Sequence, residues 1–86
     1  MEYKIAIAQQ LSSLLKNMRK QSGMTQKEMG EKLGITQRRV AAIEASPESA
    51  RFERILQMLS VLDADLIIRE RSHEANKGDI PGEEAW

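Results

Sequence analysis

TQKEMGEKLGITQRRVAAIE, residues 25–44, reads as two short helices joined by a glycine turn, the second of them polar and basic. Thr25 is a good N-cap, and Glu28 three residues later completes a capping box that starts a helix at Gln26. Met29 and Leu33 fall on one face of that helix, four residues apart. Gly34 stands where the helix must stop, since left-handed C′ geometry carries no Cβ penalty for glycine. Ile35 closes the corner, and Thr36 caps a second helix. Val40 and Ile43 face that helix's core side, while Gln37, Arg38, Arg39 and Ala42 turn toward solvent.

The major groove of DNA admits one α-helix, and Gln and Arg are side chains well suited to pair with base edges there. The stretch resembles the helix-turn-helix of the Cro and lambda-repressor type, the XRE family. The matching residues are Thr25, Gln26, Gly30, Gly34, Ile35, Val40, Ile43 and Glu44. One position departs from the family: the small residue is usually Ala, and Gly30 costs about 1 kcal/mol of helix propensity relative to it, while still allowing close helix crossing. A helical hairpin with no nucleic-acid role is the alternative. On the helix-turn-helix reading, Gln37 and Arg38 reach base edges and Arg39 a base or a phosphate. Gln26 binds phosphate at the start of the first helix, aided by the helix dipole. Lys27, Thr36 and Ala42 complete the expected DNA-binding set. The resemblance also implies that Arg19, seven residues before Gln26, pairs with Glu44 and fixes an earlier helix against the recognition helix.

The 86 residues suffice for one small domain. With one Phe, one Tyr and one Trp, the core must be aliphatic and helical, and no RNA-binding sheet of stacking aromatics is expected. The absence of Cys excludes a disulfide framework and a thiolate metal site; His73 is the single histidine, so no histidine metal cluster is expected either. No cofactor is expected. No catalytic constellation is evident, so an enzyme is a poor reading. The apolar runs fall far short of the ~20 residues that span a bilayer, and the leading stretch lacks the apolar core of a signal peptide. A cytoplasmic, nucleoid-associated location in a bacterium is expected, without membrane contact.

Net charge is formally zero, but its distribution is not even. Met1–Glu44 holds eight Lys/Arg against four Asp/Glu, and Ala45–Trp86 holds five against nine. A basic front and an acidic rear suit a domain that offers one face to phosphates.

Ahead of the central stretch, Ile7, Leu11, Leu14, Leu15 and Met18 recur at helical spacing and predict a helix from about Ile5 to Gln21, stopped by Ser22 and Gly23. Lys16 and Lys20 lie off that stripe. Behind it, Ser46-Pro47 forces a turn, in place of the Asn-Gly frequent in the family. Ser49 is the candidate cap of a fourth helix marked by Phe52, Ile55, Leu56, Leu59 and Leu62. Asp65 to Arg71 changes character: Leu66, Ile67 and Ile68 are strand formers, and a lone strand pairs with its copy in a second chain about a two-fold axis. A frayed extension of the fourth helix is the alternative. From Ser72 the chain is polar, with Gly78, Pro81 and Gly82, and is expected to be disordered up to Trp86.

The fold expected is all-α: a four- to five-helix, lambda-repressor-like DNA-binding domain over residues 1–63. A C-terminal dimerisation strand follows over 64–71 and a flexible tail over 72–86. This ensemble looks like the HipB-type antitoxins. That resemblance implies a homodimer on an inverted-repeat operator of double-stranded DNA, with a HipA-like serine/threonine kinase toxin as partner and Trp86 as a toxin contact. The competing function is a freestanding XRE-type phage or operon regulator with no toxin partner.

Overall fold

The computed structural model describes four helices within residues 1–71, two of them, α2 and α3, opened by side-chain caps. The tail expected over 72–86, Trp86 included, lies outside the described residues. Helix α1 spans Ala8–Gln21, α2 Gln26–Leu33, α3 Gln37–Ala45 and α4 Phe52–Val61, with a 3-10 turn at Pro47–Ser49 before α4. No helix among the described residues is long and apolar enough to cross a membrane.

Helix α1 starts three residues later than Ile5, the expected start. Ile7 is the N-cap, with extended backbone (φ −136°, ψ 158°), and the Gln10 side chain reaches back to accept its N–H at 3.1 Å. Ile7 therefore stays outside the helix and is 58% exposed, not a member of the core stripe. The inward stripe is Ser12, Leu15 and Arg19, flanked by half-buried Leu11, Leu14 and Met18. At the other end Gly23 adopts φ +72°, Gly23 N–H donates to the Lys20 carbonyl at 3.0 Å and Met24 N–H to that of Arg19 at 3.1 Å. This Schellman closure reverses the chain into α2.

Helix α2 carries the full capping box. Glu28 N–H donates to Thr25 Oγ1 at 3.0 Å, and Thr25 N–H donates to Glu28 Oε1 at 2.9 Å. That backbone donor, with help from the Thr25 hydroxyl and Lys32, holds the Glu28 carboxyl below its ordinary value. Gly34 ends the helix at φ +73°, ψ 29°.

The core consists of Leu15, Met29, Val40, Ile43, Ile55, Met58, Leu59 and Leu62. Helix α2 packs on both α3 and α4, and α1 packs on α3 and on the 3-10 turn. Two members of the expected α4 stripe are corrected: Phe52 is 63% exposed and Leu56 is also exposed, while Met58 is fully buried. The buried positions 55, 58, 59 and 62 keep helical spacing. Phe52 sits in the first turn of the helix, one turn beyond that stripe. Ser49 does not cap α4. It belongs to the 3-10 turn, where its hydroxyl donates to the Ser46 carbonyl at 2.7 Å, and Arg51 is the N-cap. Asp63, in left-handed geometry at φ 58°, closes α4 with Ala64 N–H on the Leu59 carbonyl at 2.8 Å.

Residues 64–71, where a strand was expected, adopt no strand in the single chain, and Leu66, Ile67 and Ile68 are all exposed here.

Gly30 proves to be required, not merely tolerated. A Cβ at this position would lie 2.6 Å from the Ile35 carbonyl oxygen and 3.3 Å from the Thr36 carbonyl atoms, which are backbone and cannot rotate aside. Substituting Gly30→Ala is expected to lower the urea midpoint and so forgo the gain of about 1 kcal/mol that helix propensity alone would give. A rise in the midpoint would show that the α2–α3 corner can open at little cost.

Candidate nucleic-acid interface

Helix α3 is presented by two caps and one turn. Gly34 reverses the chain, and Thr36 accepts the Arg39 N–H at 3.0 Å, so α3 begins at Gln37. Three residues lock its inner side: Val40, Ile43 and Glu44, each fully buried. The opposite side carries Arg38, Ala42 and Ala45 at helical spacing, all exposed. Gln37 flanks this stripe on one side and Arg39 on the other, both exposed. One long cation followed by two methyl groups leaves the α3 backbone free to approach a surface closely over its second half. Ala45 was missed by sequence reasoning, although its spacing from Arg38 and Ala42 marks it.

What fixes α3 is a buried ionic node. Arg19 Nε donates to Glu44 Oε2 at 2.6 Å, Arg19 Nη2 to Glu44 Oε1 at 3.2 Å, and Arg19 Nη1 to the Met24 carbonyl at 2.8 Å. The Gln26 amide adds a donor to Glu44 Oε1 at 3.1 Å, and the Ser12 hydroxyl donates to the Glu44 backbone carbonyl. Among the described residues no buried side-chain nitrogen or oxygen lacks a partner. Ser12 was not singled out from the sequence; a polar residue on the inward stripe of α1 was the signal. Gln26, the expected phosphate contact, is half-buried with its amide donating to Glu44, and it ties the start of α2 to the end of α3.

The surface around α3 is cationic. Lys27 in the first turn of α2 is exposed, as are Lys16 and Lys20 on α1. On the other flank Arg39 shares a shallow cleft with Arg51, Glu53, Arg54 and Gln57. Arg54 is oriented there by its Nη1, which donates to the Leu33 carbonyl at 3.4 Å and to Gln57 Oε1 at 3.0 Å. Arg51 and Arg54 were not anticipated; they are cations within an otherwise acidic half, and only the packing of α2 on both α3 and α4 brings them beside Arg39. The N-terminal turns of α2 and α3 thus carry Lys27, Arg38 and Arg39, all exposed, and the cleft adds Arg51 and Arg54 beside Glu53.

Comparison with known proteins agrees with this geometry. A family model described as Helix-turn-helix matches residues 15–67, more than half the chain. No curated protein sequence matches. Among solved structures, a HipB–O4 20mer complex superposes with a TM-score of 0.74 at 27% identity, covering 83% of this chain and 100% of that one. A HipA–HipB–O2–O3 complex gives the same TM-score, identity and coverage. So does a structure described as MDT protein.

The node yields a stability test. Arg19→Met, which leaves the Glu44 carboxylate buried without its cation, is expected to cost about 3–5 kcal/mol in chemical denaturation. The double variant Arg19→Met with Glu44→Leu is expected to recover much of that loss. Equal losses in single and double variants would mean that packing, not charge pairing, governs the site.

Proposed function

We propose that the chain, which belongs to the helix-turn-helix family, is a sequence-specific DNA-binding repressor of the XRE type and the antitoxin of a toxin–antitoxin pair. The observation that carries the reading is the exposed stripe of α3, set between two capped helix starts and flanked by cations. Arg38 at the start of α3 suits bidentate pairing with a guanine edge, Gln37 suits adenine, and Ala42 suits contact with a thymine methyl. Thr36, Lys27 and Arg39 act on the backbone. Gln26 acts there through the start of α2, keeping one amide hydrogen for phosphate while the other holds Glu44. Arg51 and Arg54 extend the phosphate track beyond Arg39.

The antitoxin role draws its support from the likeness to HipB, one of whose structures is a complex with HipA. On this reading the partner is a HipA-like kinase and the 20mer of the neighbouring structure stands for operator DNA. The protein acts as a homodimer on an inverted repeat, paired through residues 65–71, where Leu66, Ile67 and Ile68 form a run of exposed apolar side chains that demands cover. Trp86 offers a large apolar side chain for the toxin.

Two measurements test the two halves of the role. Arg38→Ala is expected to cost about 1–3 kcal/mol in operator affinity and to relax preference at one base position in each half-site; footprints unchanged for Arg38→Ala combined with Gln37→Ala would reject α3 as the reading helix. Deleting residues 84–86 is expected to weaken binding to the kinase while leaving operator affinity of the free protein intact. Kinase affinity equal to that of the full chain would remove Trp86 from the partner contact.

A further inference from the structure

Seven of the nine large apolar side chains exposed in the described residues belong to two segments outside the helices: Met1, Tyr3, Ile5 and Ile7 before α1, and Leu66, Ile67 and Ile68 after α4. The first segment alternates apolar residues with Glu2, Lys4 and Ala6, which is the period of a strand covered on one face. Although 67 positions apart, the two segments touch: Arg69 Nη1 lies 2.8 Å from Glu2 Oε1. Among the described residues the backbone N–H groups of 2–5 and 65–70 donate to no protein acceptor.

Taken as a directly opposed pair, that contact sets a register. Opposite residues of an antiparallel pair share a face, so Glu2 against Arg69 sets Tyr3 against Ile68, Ile5 against Leu66 and Ile7 against Ala64. These apolar pairs all lie on one face. Lys4 against Ile67 and Ala6 against Asp65 fall on the other, with the ion pair. A register one residue away would place Tyr3 and Ile5 against Ile67 and Arg69 or Asp65, losing the match.

The second edge of residues 64–70 fits a second copy of this chain. A two-fold axis at Ile67 brings Asp65 of one copy opposite Arg69 of the other, and Leu66 opposite Ile68. Arg69 would then lie between two carboxylates, Glu2 of its own chain and Asp65 of the other copy, and the apolar faces of both ribbons continue into each other.

We infer that residues 1–7 are half of the dimerisation surface: they pair antiparallel with residues 64–70 of the same chain, and two such ribbons join edge to edge into a four-stranded sheet whose apolar face is covered by the second copy. The inference rests on the dimer reading and adds to it the leading segment, the register and the ion-pair ladder.

Two experiments on the full chain separate this inference from the dimer reading. The chain has no cysteine, so engineered pairs report cleanly. Under mild oxidation Tyr3→Cys with Ile68→Cys is expected to form an intrachain disulfide, whereas Lys4→Cys with Ile68→Cys, on opposite faces, is not. No crosslink in the first variant, or a crosslink only between chains, would overturn the intrachain ribbon whether or not the protein dimerises. In sedimentation, Tyr3→Glu with Ile5→Glu is expected to raise the dimer dissociation constant about tenfold or more with helix content unchanged, since both side chains lie outside the helical core. A constant within about twofold of wild type would remove residues 1–7 from the interface while leaving the dimer reading standing. A wild-type chain that sediments as a monomer at micromolar concentration would defeat the dimer reading and with it the role of the ribbon as an interface.

Discussion

Glu44 is the last inward-facing residue of α3, and its fully buried carboxylate is what gives that helix a single orientation. A nine-residue helix has little stability of its own. Its apolar side rests on two residues, Val40 and Ile43, which resist sliding and rotation only weakly because hydrophobic contact is not directional. Donors from Arg19 on α1 and Gln26 on α2 converge on the one carboxylate of α3, and Ser12 holds its backbone. Rotation of α3 by even a few tens of degrees would break these bonds inside the core, where an unpaired charge costs several kcal/mol. The node therefore contributes less to net stability than to the direction in which Arg38 points. Buried ion pairs are weak stabilisers, and orientation is what this one supplies.

The legible part of the fold was the part governed by local chemistry. Thr25, Gly34 and Thr36 each do at their own position what a cap or a left-handed turn requires, and the structure places helix limits at all three. The Arg19–Glu44 pair was legible only through family resemblance, since nothing in the spacing of two charges 25 positions apart reveals a contact. Ile7, Phe52 and Leu56 were misread for one physical reason: an apolar residue at helical spacing is buried only if another element stands against it, and among the described residues none covers these three. Met58 and Ser12 were passed over because α4 and α1 face the core along stripes rotated slightly from the most apolar line. Rotation is set by the neighbouring helix, not by the helix itself. The cleft of Arg39, Arg51 and Arg54 was invisible for the same reason, being a product of the packing of α3 and α4 on α2.

Gly30 illustrates how propensity and packing compete. Helix propensity argues against glycine in the middle of α2, yet the Ile35 carbonyl occupies the space a methyl group would need. The same Gly30 contributes its carbonyl to the turn, accepting the Ile35 N–H at 2.9 Å. Close approach at this point lets Thr36 cap α3 with no intervening loop, so the cost in α2 is offset by the rigidity of the corner that aims the recognition helix.

Recognition by a single such helix is limited by arithmetic. Only Gln37, Arg38 and Arg39 offer long polar side chains on the exposed side of α3, and a good bidentate base contact discriminates by about 1–3 kcal/mol. Specific repressors separate their sites from the rest of a genome by roughly 4–10 kcal/mol, so one copy of α3 with two base contacts, about 2–6 kcal/mol together, covers at most the lower part of that range. A second copy doubles the base contacts and the phosphate contacts at once, provided the two helices are held at a fixed spacing. Formal net charge gives no help, since the acidic residues of the second half repel phosphate as strongly as the first half attracts it at long range. The proposed dimer would therefore have to turn both basic faces the same way, which an interface outside α2 and α3 permits. The exposed apolar side chains before α1 and after α4 lie outside α2 and α3, so on the proposed dimer they could be covered while the exposed stripe of α3 stays open.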